Sequence, residues 1–197
     1  MPVKLQRLLT IHKALKHPMP RLPLILFAAG LSALLALAAC SPTFNWREVR
    51  PENTRLSLLL PCKPDKAQKV VPFAGKPTAL SMLGCDAGGV TFAVAVVDLG
   101  NPGEASNAAS ILAQWQSLTL ANMKAGAAQV SPLPLPGTAM AQPAVLVKAQ
   151  GQRADGTAVT GQAAYFAHGS QLFQVVMYAG KVPPEVAETY FSSLKFE

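Results

Sequence analysis

Ten residues, Val90 to Leu99, limit the possible folds of this chain more than any others. They read Val-Thr-Phe-Ala-Val-Ala-Val-Val-Asp-Leu. A strand with one wet face alternates apolar and polar side chains. This run is almost wholly apolar at both parities, as expected of a strand covered on both sides.

The surrounding sequence predicts more strands. Leu56 to Leu60 is short and apolar. Lys69 to Phe73 and Thr78 to Leu83 flank Ala74-Gly75-Lys76-Pro77, a turn sequence, and Asp86-Ala87-Gly88-Gly89 is a second turn. Ala144 to Gln150, Ala158 to Ala167 and Gln171 to Tyr178 read as three more strands. Ala154-Asp155-Gly156 and His168-Gly169 separate them, so they pair as antiparallel hairpins. Ser131 to Gly137 alternates Pro with Leu and reads as extended loop or polyproline II.

Two helices are expected. Asn101-Pro102-Gly103 breaks the apolar strand and starts a helix, in which Ala108, Ile111, Leu112, Trp115 and Leu118 recur at helical spacing through about Lys124. Glu104 falls in the first turn on this reading, where the dipole favours an acid. Trp115 sits in the apolar stripe and packs into the core, or it stacks on a ligand. Val182-Pro183-Pro184-Glu185 opens the last helix, since proline in the first turn loses no needed N–H. Ala187, Tyr190, Phe191 and Leu194 form its buried face.

The fold class is therefore α+β: an antiparallel sheet of about six to eight strands with two α-helices packed on it, following an N-terminal signal helix. Residues 1–39 form a leader, 40–54 a tether headed by Cys40, and 55–197 a single domain. Within the tether, Phe44 and Trp46 cap the core or face a partner.

The leader carries Lys4, Arg7, Lys13, Lys16 and Arg21 and no acid. Leu22 to Ala39 is then apolar except for Ser32, and Leu37-Ala38-Ala39-Cys40 closes it. A positive start, an apolar stretch and small residues before a cut site are the features of an export signal. With Cys40 at its end, the segment resembles a bacterial lipoprotein signal peptide and its lipobox. The resemblance implies cleavage before Cys40, acylation of its sulfur (palmitate among the chains), and a membrane anchor outside the cytoplasm. Ser41 follows the cysteine rather than Asp, which by the usual sorting pattern implies the outer membrane, with the domain facing the periplasm. The alternative is an uncleaved transmembrane anchor, since the apolar stretch of roughly 18 residues approaches a membrane span.

The leader also distorts the composition. The chain has 17 Lys and Arg against 10 Asp and Glu. Five of the basic residues and none of the acids precede Cys40, leaving 12 against 10 afterwards. No basic stripe remains for nucleic acid. Arg47, Arg50, Arg55, Lys63, Lys66, Lys69 and Lys76 cluster just after the cysteine, either as an ordinary solvated surface or as an attraction to anionic lipid.

Acylation of Cys40 leaves Cys62 and Cys85, which in an oxidising compartment are expected to form one disulfide. No His or Cys cluster supplies further ligands, so neither metal nor cofactor is expected. Catalytic signatures are wanting. His168 is the one histidine after the leader and falls in a turn. Gly-x-Ser-x-Gly, His-Glu-x-x-His and Walker patterns do not occur. Asp65, Asp86, Asp98 and Asp155 stand at strand ends or turns, where aspartates bond neighbouring backbone.

Together the lipobox, the apolar strand Val90 to Leu99, the Trp115 helix and the ending Tyr190-Phe191-Ser192-Ser193-Leu194-Lys195-Phe196 resemble the uncharacterised proteobacterial lipoproteins with PsbP/Mog-like domains, the DcrB group among them. The sequence thus points to a membrane-anchored, non-catalytic envelope lipoprotein that binds another envelope protein or serves envelope structure. A binding module for a small apolar or lipid-like ligand and an envelope enzyme are the alternatives.

Overall fold

Glycine pairs and apolar alternation build most of the fold, seen here in a computed structural model that describes residues 42–73, 75–100, 107–136 and 143–197. The chain divides into two units, Met1–Pro42 and Thr43–Glu197. The expected signal helix, Cys40 and Glu104 lie outside the described residues. Among the described residues, no helix is long and apolar enough to cross a membrane.

Ten strands and two α-helices are described. In chain order they are β1 (Arg47–Val49), β2 (Leu56–Leu60), β3 (Asp65–Phe73), β4 (Lys76–Ala87), β5 (Val90–Asp98), α1 (Ala108–Asn122), β6 (Gln129–Leu133), β7 (Ala144–Gln152), β8 (Ala158–His168), β9 (Gln171–Ala179), α2 (Pro184–Ser192) and β10 (Lys195–Phe196). Seven strands form one sheet in the order β3-β4-β5-β9-β8-β7-β6. Its pairings are all antiparallel. β1, β2 and β10 form a second, three-stranded sheet. The α+β class and the antiparallel sheet with two helices agree with the sequence reading. The separate small sheet was not foreseen.

β5 lies at the middle of the large sheet with β4 and β9 beside it. Val90, Phe92, Val94 and Val96 point to one face and join Phe166, Phe173, Val175 and Met177. The small sheet's Leu56, Leu58, Leu60 and Phe196 cover this face, together with Val186, Ala187, Tyr190 and Phe191 of α2. On the other face, Val147, Ala163, Tyr165 and Val176 meet Leu112, Trp115 and Leu120 of α1. That double cover is why β5 is apolar at both parities. All four residues expected on the buried side of the last helix (Ala187, Tyr190, Phe191, Leu194) are buried.

Several boundaries move for identifiable reasons. β3 and β4 pair up to Phe73 and Lys76, with Gly75 at φ 79°, so Lys76 and Pro77 belong to β4. Gly88 (φ 58°) and Gly89 (φ 74°) join β4 to β5. Positive φ at both central residues is the type I′ condition that matches strand twist. The first helix begins at Ala108, several residues beyond the Pro102 break. Ser131 to Leu133, expected as loop, belongs to β6. β6 is an edge strand, and there Pro132 breaks no inner ladder.

The tether is ordered from its far end inward. β1 pairs with β2, matching Arg47 with Leu60. Phe44 and Trp46 both pack on the core at Phe92, with ring centroids 6.5 and 6.1 Å away. The packed domain therefore starts before residue 55.

The end of α1 docks tightly on the sheet. A Cβ on Gly151 would lie 2.3 Å from the Met123 carbonyl oxygen, which accepts the Gln152 N–H at 2.6 Å. Glycine in this strand is required by close backbone approach.

Candidate functional site

The disulfide has the strongest geometry of the expected sites. Cys62 follows β2 in the small sheet, and Cys85 lies in β4 of the large one. Their sulfurs are 2.03 Å apart and their Cα atoms 6.0 Å apart. The bond therefore ties the two sheets together, with Cys85 packed against the main core. Cys40 lies outside the described residues.

The acids near the turns make the local bonds expected of them. Asp155 Oδ1 accepts the backbone N–H and the hydroxyl of Thr157 at 2.9 and 2.7 Å. Asp86 accepts from the Thr91 hydroxyl at 2.6 Å. Asp98 does more. Its carboxylate accepts the Gly100 N–H at 2.9 Å, the Ser170 hydroxyl at 2.8 Å and the Gln171 amide at 3.4 Å. Gln171 also donates to the Asn53 carbonyl at 2.9 Å. Asp98 thereby links the end of β5, the β8–β9 turn and the loop before β2. The Gly100 N–H first, then the Ser170 hydroxyl, hold its pKa below the ordinary value.

A depressed pKa in the folded state adds stability above the unfolded value, and that stability is lost as pH falls through the folded value. Asp98→Asn should therefore melt lower than wild type near neutral pH. The gap should close at about pH 2. Paired thermal melts across that range check this.

Three tyrosines lie where the helices meet the sheet, Tyr165 and Tyr178 on the strands and Tyr190 on α2. Gln174 donates to the Thr119 hydroxyl at 2.8 Å and to the Tyr165 hydroxyl at 2.9 Å, forming a polar bridge between α1 and the sheet. The Tyr190 hydroxyl donates to the Ala93 carbonyl at 3.1 Å. Burial raises the pKa of Tyr165 and Tyr190. Tyr178 is pushed up to about 12 by burial and then by Tyr165. All three phenols thus stay protonated at neutral pH, and those of Tyr165 and Tyr190 act as hydrogen-bonding core groups.

The basic cluster after Cys40 meets acids. Arg50 pairs with Glu197 and, at 3.4 Å, with Glu48. Lys66 reaches Glu52 at 2.6 Å. Lys195 joins the group through Glu197 at 3.0 Å and Glu48 at 3.4 Å, and Arg55 Nε donates to the Glu197 carbonyl oxygen. Sequence order concealed this neutralisation, because Glu197 lies at the opposite end of the domain from Arg50. These exposed pairs leave less free positive charge than the sequence implied.

His168 lies across from Gln171 at the end of its hairpin and stacks on Phe196 at 4.3 Å. No group of three His, Cys, Asp or Glu that could hold a metal occurs among the described residues. Trp115 meets Phe73 and Tyr165 edge-on at 5.1 and 6.5 Å. One small space beside α1, between Thr119, Met123, Gly161 and Tyr178, holds about 10 Å³, and an open groove of about 450 Å³ lies between Trp115, Thr119 and Met123 on one side and Gln152, Arg153 and Val159 on the other. A groove of about 290 Å³ opens elsewhere, between Pro51 and Glu52 on one side and Lys66, Met82, Leu83 and Val94 on the other.

No family model matches the chain. No curated protein matches it. Among solved structures it is similar to a protein of unknown function from Pseudomonas aeruginosa, at 14% identity and a TM-score of 0.32. The similarity spans 73% of this chain and 87% of that one, and at this score it carries no argument about fold or function.

Proposed function

We propose that this chain is a lipid-anchored envelope protein, exported by a signal helix and moored through Cys40 to the outer membrane. Its periplasm-facing domain binds another envelope protein or serves envelope structure, without catalysing a reaction. The observation that carries this reading is the Cys62–Cys85 pairing. Structural disulfides belong to oxidising compartments. The pairing leaves Cys40, at the end of the apolar leader, as the one remaining cysteine. Membership of the PsbP/Mog-like lipoproteins is part of the same proposal, supported by the order of five strands, helix, four strands and helix.

Acylation at one cysteine is testable directly. Cells grown with labelled palmitate should label the wild-type chain and leave Cys40→Ala unlabelled. Wild type should fractionate with membranes, and the variant should not, because stable anchoring needs two or more acyl chains. An unlabelled wild type would overturn the proposal. A Cys40→Ala protein wholly retained in the membrane would point instead to an uncleaved span.

A further inference from the structure

Strand pairing assembles a polar platform that no stretch of sequence displays. Gln129 of β6 is opposite Lys148 of β7, and Lys148 is opposite Gln162 of β8. The row continues to Met177 of β9, which is fully buried. One face of one row thus changes from apolar to polar between β9 and β8. Gln150 and Thr160 form a second polar pair two residues along. These five residues line a groove of about 540 Å³ together with Gly126, Ala127 and Ala149.

Gln162 is the informative member. It is only 9% exposed, and its carboxamide oxygen is buried without a hydrogen-bond partner. An unpartnered buried amide is costly, and such groups call for an explanation. Gln162 lines an open groove, and rotating its amide to bring the covered oxygen to the groove wall lets a bound molecule supply the missing donor. The charge of the lining is equally specific. Lys148 is the one charged residue among the eight, and none is acidic. The remaining polar groups are three amides and a hydroxyl, which both donate and accept.

We propose that this platform binds a small carboxylate-bearing polyol, a sugar acid. Its carboxylate pairs with Lys148, one hydroxyl donates to Gln162, and other hydroxyls exchange hydrogen bonds with Gln129, Gln150 and Thr160. The spacing suits such a ligand. Three strands about 4.8 Å apart place Gln129 and Gln162 roughly 10 Å from each other, enough for one substituted ring across Lys148. The proposal does not depend on the lipid anchor.

Saturation-transfer NMR on the full-length protein in detergent micelles tests it, with D-glucuronate, D-glucose and acetate as probes. Glucuronate should receive saturation, glucose at least several-fold less, and acetate none. Lys148→Ala should abolish the preference for glucuronate over glucose, and Gln162→Leu should lose both sugars. No transfer to either sugar at about 10 mM, well above a millimolar dissociation constant, would overturn the proposal. So would an acetate response equal to that of glucuronate, or an unchanged preference in Lys148→Ala. Lys148 is exposed, so its variant decides the matter even if Gln162→Leu fails to fold.

Discussion

Phe92→Ala is expected to destabilise the domain by about 3–5 kcal/mol, the range for truncating a buried aromatic. Phe92 has no exposed surface and sits where three parts of the chain meet. Its ring meets Tyr190 of α2 edge-on at 5.1 Å and lies near Phe44 and Trp46 of the N-terminal segment. Across the strands it opposes Cys85 and Met177. Little can collapse into the space, because the residues around it belong to separate elements already fixed by their own pairings. At about 2–4 °C per kcal/mol for a chain of this size, the melting temperature should fall by about 10 °C. Phe44 and Trp46 should also loosen before the sheet does, since β1 gives them only three paired residues of support. Trp46 fluorescence should therefore shift at lower denaturant concentration than the circular dichroism of the sheet. A loss below about 1 kcal/mol, the scale of an ordinary surface substitution, would show that Phe92 is not central to the packing.

The elements that were legible in the sequence carry their own local signal. β5 announces its double cover by composition. The β4–β5 and β8–β9 hairpins are marked by Gly88, Gly89 and Gly169, each at positive φ. The last helix shows its buried face because Ala187, Tyr190, Phe191 and Leu194 recur at three- and four-residue spacing. Of the small sheet, only β2 gave such a signal. β1 has three residues and β10 two, too few to display alternation, and β10 joins β2 by matching Phe196 with Leu56 across most of the domain. Pro132 and Pro134 disguised β6, since proline argues for a strand only once the edge position is known. The start of α1 was misplaced because Pro102 resembles a helix opener, although the apolar stripe itself begins only at Ala108. The disulfide followed from counting cysteines and judging the compartment. The amide platform could not have been found that way. Gln129, Lys148 and Gln162 are ordinary surface residues in sequence and become neighbours only through the register of three strands.

Replacing both Cys62 and Cys85 by serine should lower stability by about 3 kcal/mol in the chain-entropy account, given their separation of 23 residues. The location of the bond gives this loss a structural direction. It joins the segment after β2 to β4 and so fastens the small sheet to the large one beside Phe92. Without it, β1, β2 and β10 are held over the core mainly by Leu56, Leu58, Leu60 and Phe196. The small sheet should then open first, seen as faster hydrogen exchange at the amides of Leu56 to Leu60 than in β8 and β9. Reductant provides the control. Dithiothreitol should bring wild type down to the stability of the double variant and leave the double variant unchanged. The same deficit should appear in wild-type protein expressed without residues 1–39 and kept in a reducing cytoplasm, where the thiols stay apart. A wild type indifferent to reductant, with both thiols free in exported material, would remove the bond and the main structural support for placing this domain outside the cytoplasm.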